Sequence, residues 1–231
     1  MQLTPDDSIV LDLGVLRLNA TIVNTWIVMA LLVAVSWLAT RNLRADAAPG
    51  RWRNALEVLV KLIESQIQAL AQHAVHRVMI FAGTLFLFIA TSNLLAIVPG
   101  FRAPTGSLST TVALTLAVLL AVPAFGVAHG GLRQYLAKFA QPSLLLLPLN
   151  LLGEVSRAIS LAIRLYGNVM SGAVIAAILL GIAPFFFPAI MNLFSLLVGV
   201  IQGYIFATLA AVYIAAAMAD PSPADDPDAI P

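Results

Sequence analysis

The chain has 231 residues, 61% apolar and 10% charged, with no cysteine and a formal net charge of +1. With a mean hydropathy of +0.97, that balance excludes a soluble domain, a disulfide scaffold and thiolate metal chemistry. It predicts an integral membrane protein of all-α class, a single membrane domain over residues 20–218 that has the lipid bilayer for a partner and no nucleic acid.

The first segment, "MQLTPDDSIVLDLGVLRLN" (1–19), is acidic at its start and lacks the basic n-region of a cleaved signal, so it is expected to stay as an extracytoplasmic segment. Crossings of about 20 apolar residues are predicted over about 20–40, 78–98 and 108–128. Between the first two, about 51–72 shows helical spacing of apolar residues with Glu57, Lys61, Glu64 and Gln68 on another face. That pattern predicts one interfacial amphipathic helix rather than a span. "VPGFRAPTG" makes a tight connection between the second and third crossings.

Two further apolar runs, about 148–181 and 188–218, open at Pro148 and Pro188. Each is longer than an upright crossing requires, which predicts a strongly tilted hairpin of two long helices and makes five transmembrane helices in all. The remaining stretch, 219–231, is Pro- and Asp-rich and is expected to be a disordered acidic tail. Arg41, Arg44, Arg51, Arg53, Lys61 and Arg77 lie between the first two crossings, and Arg133 and Lys138 follow the third. Those loops are expected on the cytoplasmic side, with the N-terminus outside and the C-terminus inside.

The fourth crossing carries charge. Asn150, Glu154, Arg157, Arg164, Asn168 and Ser171 share one side of the helix, with Ser160 at the edge. On the fifth, Asn192, Ser195, Gly199, Gln202, Phe206 and Tyr213 share a side, and Gln202 falls near the level of Arg164. A purely structural account covers much of this. Glu154 and Arg157 at i,i+3 neutralise one another. "GVIQG" (199–203) is a small-xxx-small packing pattern, and the Asn and Ser residues form interhelical hydrogen bonds.

Arg164 is different. A central Arg costs from about 3 to about 10 kcal/mol or more in a membrane, it stays charged, and no acid lies three or four positions away. Its counter-charge must come from elsewhere. His73, His76 and His129 are expected to be solvated surface residues, since "HAVH" lacks the Glu of a zinc-protease helix. No P-loop or nucleophile elbow is present, so no nucleotide chemistry, cofactor or metal site is expected of the chain itself.

"SLAIRLYGNVMSG" together with "VGVIQGYIFATLAAVYIAAAM" closely resembles the a subunits of the membrane (Fo) sector of F-type ATP synthases, over roughly residues 76–218. "TSNLLAIVPG" is similar to that family's second-crossing signature, and the start of the chain is similar to its N-type variant branch. The resemblance implies a non-catalytic stator subunit of a rotary ATP synthase or ATPase in the bacterial inner membrane. It would form two ion half-channels beside a rotating ring of small c subunits, each bearing one membrane carboxylate. Peripheral-stalk b subunits and, indirectly, the F1 sector are the further implied partners.

Under that resemblance Arg164 matches the essential arginine that faces the ring carboxylates, while Gln202 and Asn168 match the family's glutamine and asparagine. Asn150, Glu154, Arg157, Ser160, Ser171, Asn192 and Ser195 are the remaining expected channel-lining residues. Two positions depart from the pattern. Ala173 and Ser195 stand where many relatives carry a titratable pair, which leaves Glu154, Asn150 or water to serve instead.

H⁺ is the expected ion, with Na⁺ the alternative. A secondary transporter and a passive membrane anchor are the rival readings, the first disfavoured because the chain shows no pair of similar halves.

Overall fold

The computed structural model describes residues 9–12, 17–41, 51–70, 75–98, 100–140, 144–182 and 187–219. The proposed tail from 220 onward, most of the basic stretch after the first crossing, His73 and the turn between the last two helices lie outside the described residues. A two-stranded antiparallel pair, β1 (Ile9–Asp12) and β2 (Arg17–Asn19), comes first, with an irregularity between Ile9 and Leu11. The acidic composition of this segment gave no sign of it.

Among the described residues six α-helices follow: α1 (Ala20–Thr40), α2 (Arg51–Leu70), α3 (Val75–Leu94), α4 (Leu108–Ala140), α5 (Leu147–Ile182) and α6 (Phe187–Met218). All but α2 contain a stretch long and apolar enough to cross a membrane, so the chain is a helical, polytopic membrane protein with five candidate spans. With 36 and 32 residues, α5 and α6 measure about 54 and 48 Å at 1.5 Å per residue, well beyond a hydrocarbon core of about 30 Å.

Four of the helices, α3 to α6, build the core. Val78, Ala82, Leu85 and Ile89 recur at helical spacing on α3 and meet Val118 and Val122 of α4, Leu161 and Leu165 of α5, and Phe206, Ala210 and Ile214 of α6. α3 and α6 approach closely at two glycines of α6. A Cβ on Gly199 would stand 2.6 Å from Asn93 Cγ, and one on Gly203 would stand 3.2 Å from Ile89 Cγ2. The "GVIQG" glycines therefore serve packing, as small residues four apart do where helix backbones come close.

α1 stays at the edge, with Val28 and Thr21 buried and Trp26, Val33 and Trp37 exposed. Its Asn24 Nδ2 donates to the Arg102 carbonyl at 2.9 Å, tying it to the connection between α3 and α4. α2 lies against α3 and α6, with Ile63 beside Gly83 and Gln66 accepting a hydrogen bond from the Tyr204 hydroxyl at 2.8 Å.

α4 continues past residue 128, but it breaks at Gly131, whose φ of 79° and ψ of 162° suit glycine and few other residues. The break turns the last nine residues back, so that Tyr135 covers Gly126, where a Cβ would meet its ring at 2.6 Å. The basic stretch holding Arg133 and Lys138 is thus helical rather than a plain loop.

Candidate functional site

Arg164 is the eighteenth of the 36 residues of α5, its midpoint. The helix packs into the bundle through Leu161, Ala162 and Leu165, which points Arg164 away from that seam. The side chain is exposed and sits in a shallow open groove with Ser156, Ile159, Ser160 and Ile163. Among the described residues it makes no ion pair and no hydrogen bond. A guanidinium left this way at the centre of an apolar helix needs an anion that the described part of the chain does not supply.

One cavity opens toward the end of the bundle where α4 turns back. It has a volume of about 280 Å³ and is lined by Tyr135, Asn150, Glu154, Arg157 and Tyr213 among others. Arg157 Nη1 donates to Glu154 Oε1 at 2.9 Å, and the guanidinium lies 5.7 Å from the centre of the Tyr213 ring. The pair neutralises itself, so this cavity is charged but balanced.

A second cavity, of about 370 Å³, opens near the connection between α3 and α4. Asn93, Asn168, Asn192 and Ser195 line it, with Arg102 toward the connection and no carboxylate or histidine in its wall among the described residues. Ala173 and Ser195, the two positions that lack the expected titratable pair, both face this one space. Asn168 Nδ2 donates to Gln202 Oε1 at 2.5 Å across the α5–α6 seam. Gln202 is 2% exposed and its Nε2 has no hydrogen-bond partner among the described residues. Ser171 Oγ donates to the Asn168 carbonyl at 3.1 Å on the exposed side of the same turn.

The contacts Arg157–Tyr213 and Asn168–Gln202 are eleven residues apart on both helices, which fixes their antiparallel register. They lie about 16 Å apart along the axis, and Arg164 falls between them. Over that interval the seam is closed by Leu161, Leu165, Phe206 and Ala210, all buried. The polar side of α5 thus divides into three parts. Asn150, Glu154 and Arg157 border one cavity, Asn168 borders the other with Asn192 and Ser195 of α6, and Ser160 and Arg164 stand on open surface between.

Asn93, Arg102, Tyr135 and Ser156 also line these spaces, though the helical pattern of α5 and α6 did not single them out. For Asn93 a signal existed: an amide in the apolar run "ATSNLLAI" matched to a glycine in another apolar run. Among the described residues no group of three or more His, Asp and Glu side chains is placed to hold a metal ion.

The sequence profile of the family described as "ATP synthase A chain" matches residues 22–215. The chain is 52% identical over 217 residues to ATP synthase subunit a 2 of Acaryochloris marina, covering 94% of this chain and 93% of that one. It is 49% identical over 217 residues to ATP synthase subunit a 1 of Chlorobaculum parvum, covering 94% and 96%. With ATP synthase subunit a of Albidiferax ferrireducens the identity is 48% over 227 residues, 98% of both chains. The profile runs through Arg164, both cavities and every helix of the core, and on that extent the chain belongs to the ATP synthase A chain family.

Proposed function

We propose that this chain, as the stator component of the membrane sector, provides two half-paths for H⁺ and passes it to and from carboxylates on a rotating ring of small proteolipid subunits. The supporting observation is the position of Arg164. It stands exposed at the midpoint of α5, without an acidic partner among the described residues, between two cavities that open at opposite ends and are separated by buried apolar side chains.

The physics follows from desolvation. A ring carboxylate surrounded by lipid has to be neutral, because an isolated charge there is prohibitive. Opposite the Arg164 guanidinium the ionised form is stabilised, so the site gives up its proton on arrival. The same fixed charge repels a cation from crossing directly between the half-paths. A charge moved across 100 mV is worth about 2.3 kcal/mol, which a direct leak would dissipate.

On this reading the balanced Glu154–Arg157 pair, with Asn150 and Tyr213, marks the cytoplasmic half-path. Asn168, Gln202, Asn192 and Ser195 mark the outer one, where water held by amides and hydroxyls takes the place of a titratable relay. Ser160 and Ser171 keep the surface beside Arg164 slim enough for a ring helix to approach. The orientation, with the N-terminus outside and a bacterial inner membrane as the setting, belongs to the same proposal. Peripheral-stalk b subunits and the F1 sector are its remaining partners.

Arg164→Lys in reconstituted complexes tests the switch. Lysine can deprotonate and lacks the bidentate fork, so coupled pumping is expected to fall to background while the complex still assembles. Pumping near the wild-type rate contradicts the role. A second reading, Na⁺ in place of H⁺, is favoured by the oxygen-bearing and carboxylate-free wall of the outer cavity. ATP-driven Na⁺ uptake that persists with a protonophore selects it, and uptake abolished by the protonophore selects H⁺.

A further inference from the structure

Hydroxyls on the membrane helices commonly satisfy themselves on their own backbone. Thr84 donates to the Ile80 carbonyl at 2.6 Å, Ser92 to that of Phe88 at 2.7 Å, and Thr111 to that of Leu108 at 2.9 Å. Thr115, one turn after Thr111 on α4, does not. It is 4% exposed, and its Oγ1 and Gln202 Nε2 are the two buried side-chain polar atoms without a hydrogen-bond partner among the described residues.

The space in front of Thr115 is a small pocket of about 10 Å³, lined also by Val118, Leu119, Ala158 and Leu161. Its other lining residues, Val122, Glu154, Arg157 and Tyr213, are shared with the charged cavity. The pocket is therefore a narrow inward extension of that cavity, ending beside Leu161, where the apolar seam begins. About 10–15 Å³ of this kind of volume holds one water, provided two to four polar partners surround it. Thr115 Oγ1, the Glu154 carboxylate, the Arg157 guanidinium and the Tyr213 hydroxyl are of the right chemistry. An orphaned hydroxyl buried between packed helices is unfavourable, and a bound water relieves it.

We propose that Thr115 holds a single internal water at the blind end of the charged cavity, and that this water is the innermost station of the cytoplasmic half-path, one step short of the ring-facing surface at Arg164. The transport part of this inference rests on the ion-path reading above. The presence of the water does not.

Because the chain contains no cysteine, single thiols can be placed without background within it. In the intact complex in sealed membranes, Thr115→Cys, Leu165→Cys and Phe206→Cys are each treated with Ag⁺, which caps thiols that water reaches as thiolates. The chain is then denatured and its remaining free thiol counted by mass after maleimide labelling. Capping of the thiol at 115 but not at 165 or 206 is the expected result and is read without any transport. No capping at 115, or equal capping at all three, overturns the water site.

The transport part is read from Thr115→Val, which keeps the shape and removes the hydroxyl, against Thr115→Ser, which keeps the hydroxyl. ATP-driven pumping is expected to fall about fivefold in the first and to stay near wild type in the second, with equal assembly. Wild-type pumping by Thr115→Val overturns the station. If Arg164→Lys also pumps normally, the ion-path reading fails with it, whereas a normal Thr115→Val beside an inactive Arg164→Lys isolates the failure to this water.

Discussion

The two cavities that flank Arg164 are built from different chemistry on the same pair of helices. Near the turned-back end of α4 the wall carries a carboxylate and a guanidinium 2.9 Å apart, with two tyrosines. Near the α3–α4 connection the largely apolar wall has three amides and the Ser195 hydroxyl as its polar groups, with Arg102 toward the connection and an amide–amide hydrogen bond from Asn168 to Gln202. A charged group in an apolar bundle is tolerated if it is paired, and an amide if its hydrogen bonds are met, so both kinds of wall can stand within a membrane protein. The difference lies in where ionic charge is balanced inside this chain: one cavity holds a carboxylate paired with a guanidinium, whereas among the described residues no carboxylate or histidine lines the other.

Substitutions can break or sharpen this contrast. The largest effect is expected at the wall of the amide cavity, for Gly199→Val. Its Cβ would stand 2.6 Å from Asn93 Cγ, so the α3–α6 contact must open at a cost of about 1–3 kcal/mol or more. Recovery of the chain in assembled complexes should collapse, and undiminished assembly would show that the contact is looser than described. Next comes Glu154→Gln, which leaves Arg157 without its partner. ATP-driven pumping is expected to fall by about an order of magnitude or more with assembly retained, because an unpaired guanidinium in the proposed half-path repels an entering cation.

Ser195→Ala, in the amide cavity, should change pumping by no more than about twofold, because water covers for one hydroxyl. If it proves as damaging as Glu154→Gln, the distinction between the cavities fails. The smallest effect is expected outside the bundle. Lys61 pairs with Glu57 at 2.9 Å, and that hydrogen bond, followed by the charge of Glu57, raises the lysine above its ordinary value of 10.5. The pair is therefore intact below that value and lost only as pH rises through the raised one. Lys61→Ala should change assembly and pumping little at neutral pH, and whatever difference it makes should vanish in alkali, where the unsubstituted chain has lost the pair as well.

The helices were legible because a bilayer demands long apolar runs, and α1, α3, α4, α5 and α6 each contain one. Arg164 was legible for the opposite reason, as a charge such a run should not hold. Counting from the hairpin turn puts Gln202 near the level of Arg164, whereas the register places it opposite Asn168, about one turn further along α5. Other features had no pattern to announce them. The polar side of α5 reads as one stripe in one dimension, and its division between two cavities depends on which neighbours α4 and α6 place beside it. Gly131 looks like a loop residue, but its positive φ serves to fold Tyr135 back over Gly126. Thr115 is one hydroxyl among many in apolar sequence, and only the absence of a backbone partner sets it apart.

The central claim is that the counter-charge of Arg164 resides on other polypeptides. A side-chain-resolution structure of the assembled membrane sector measures this directly, as the distance from the Arg164 guanidinium to its nearest carboxylate. The account predicts that this carboxylate belongs to a ring subunit, brought within ion-pair or single-water distance as the ring turns. A carboxylate of this same chain in that place, or a guanidinium turned out among lipid headgroups, would contradict it.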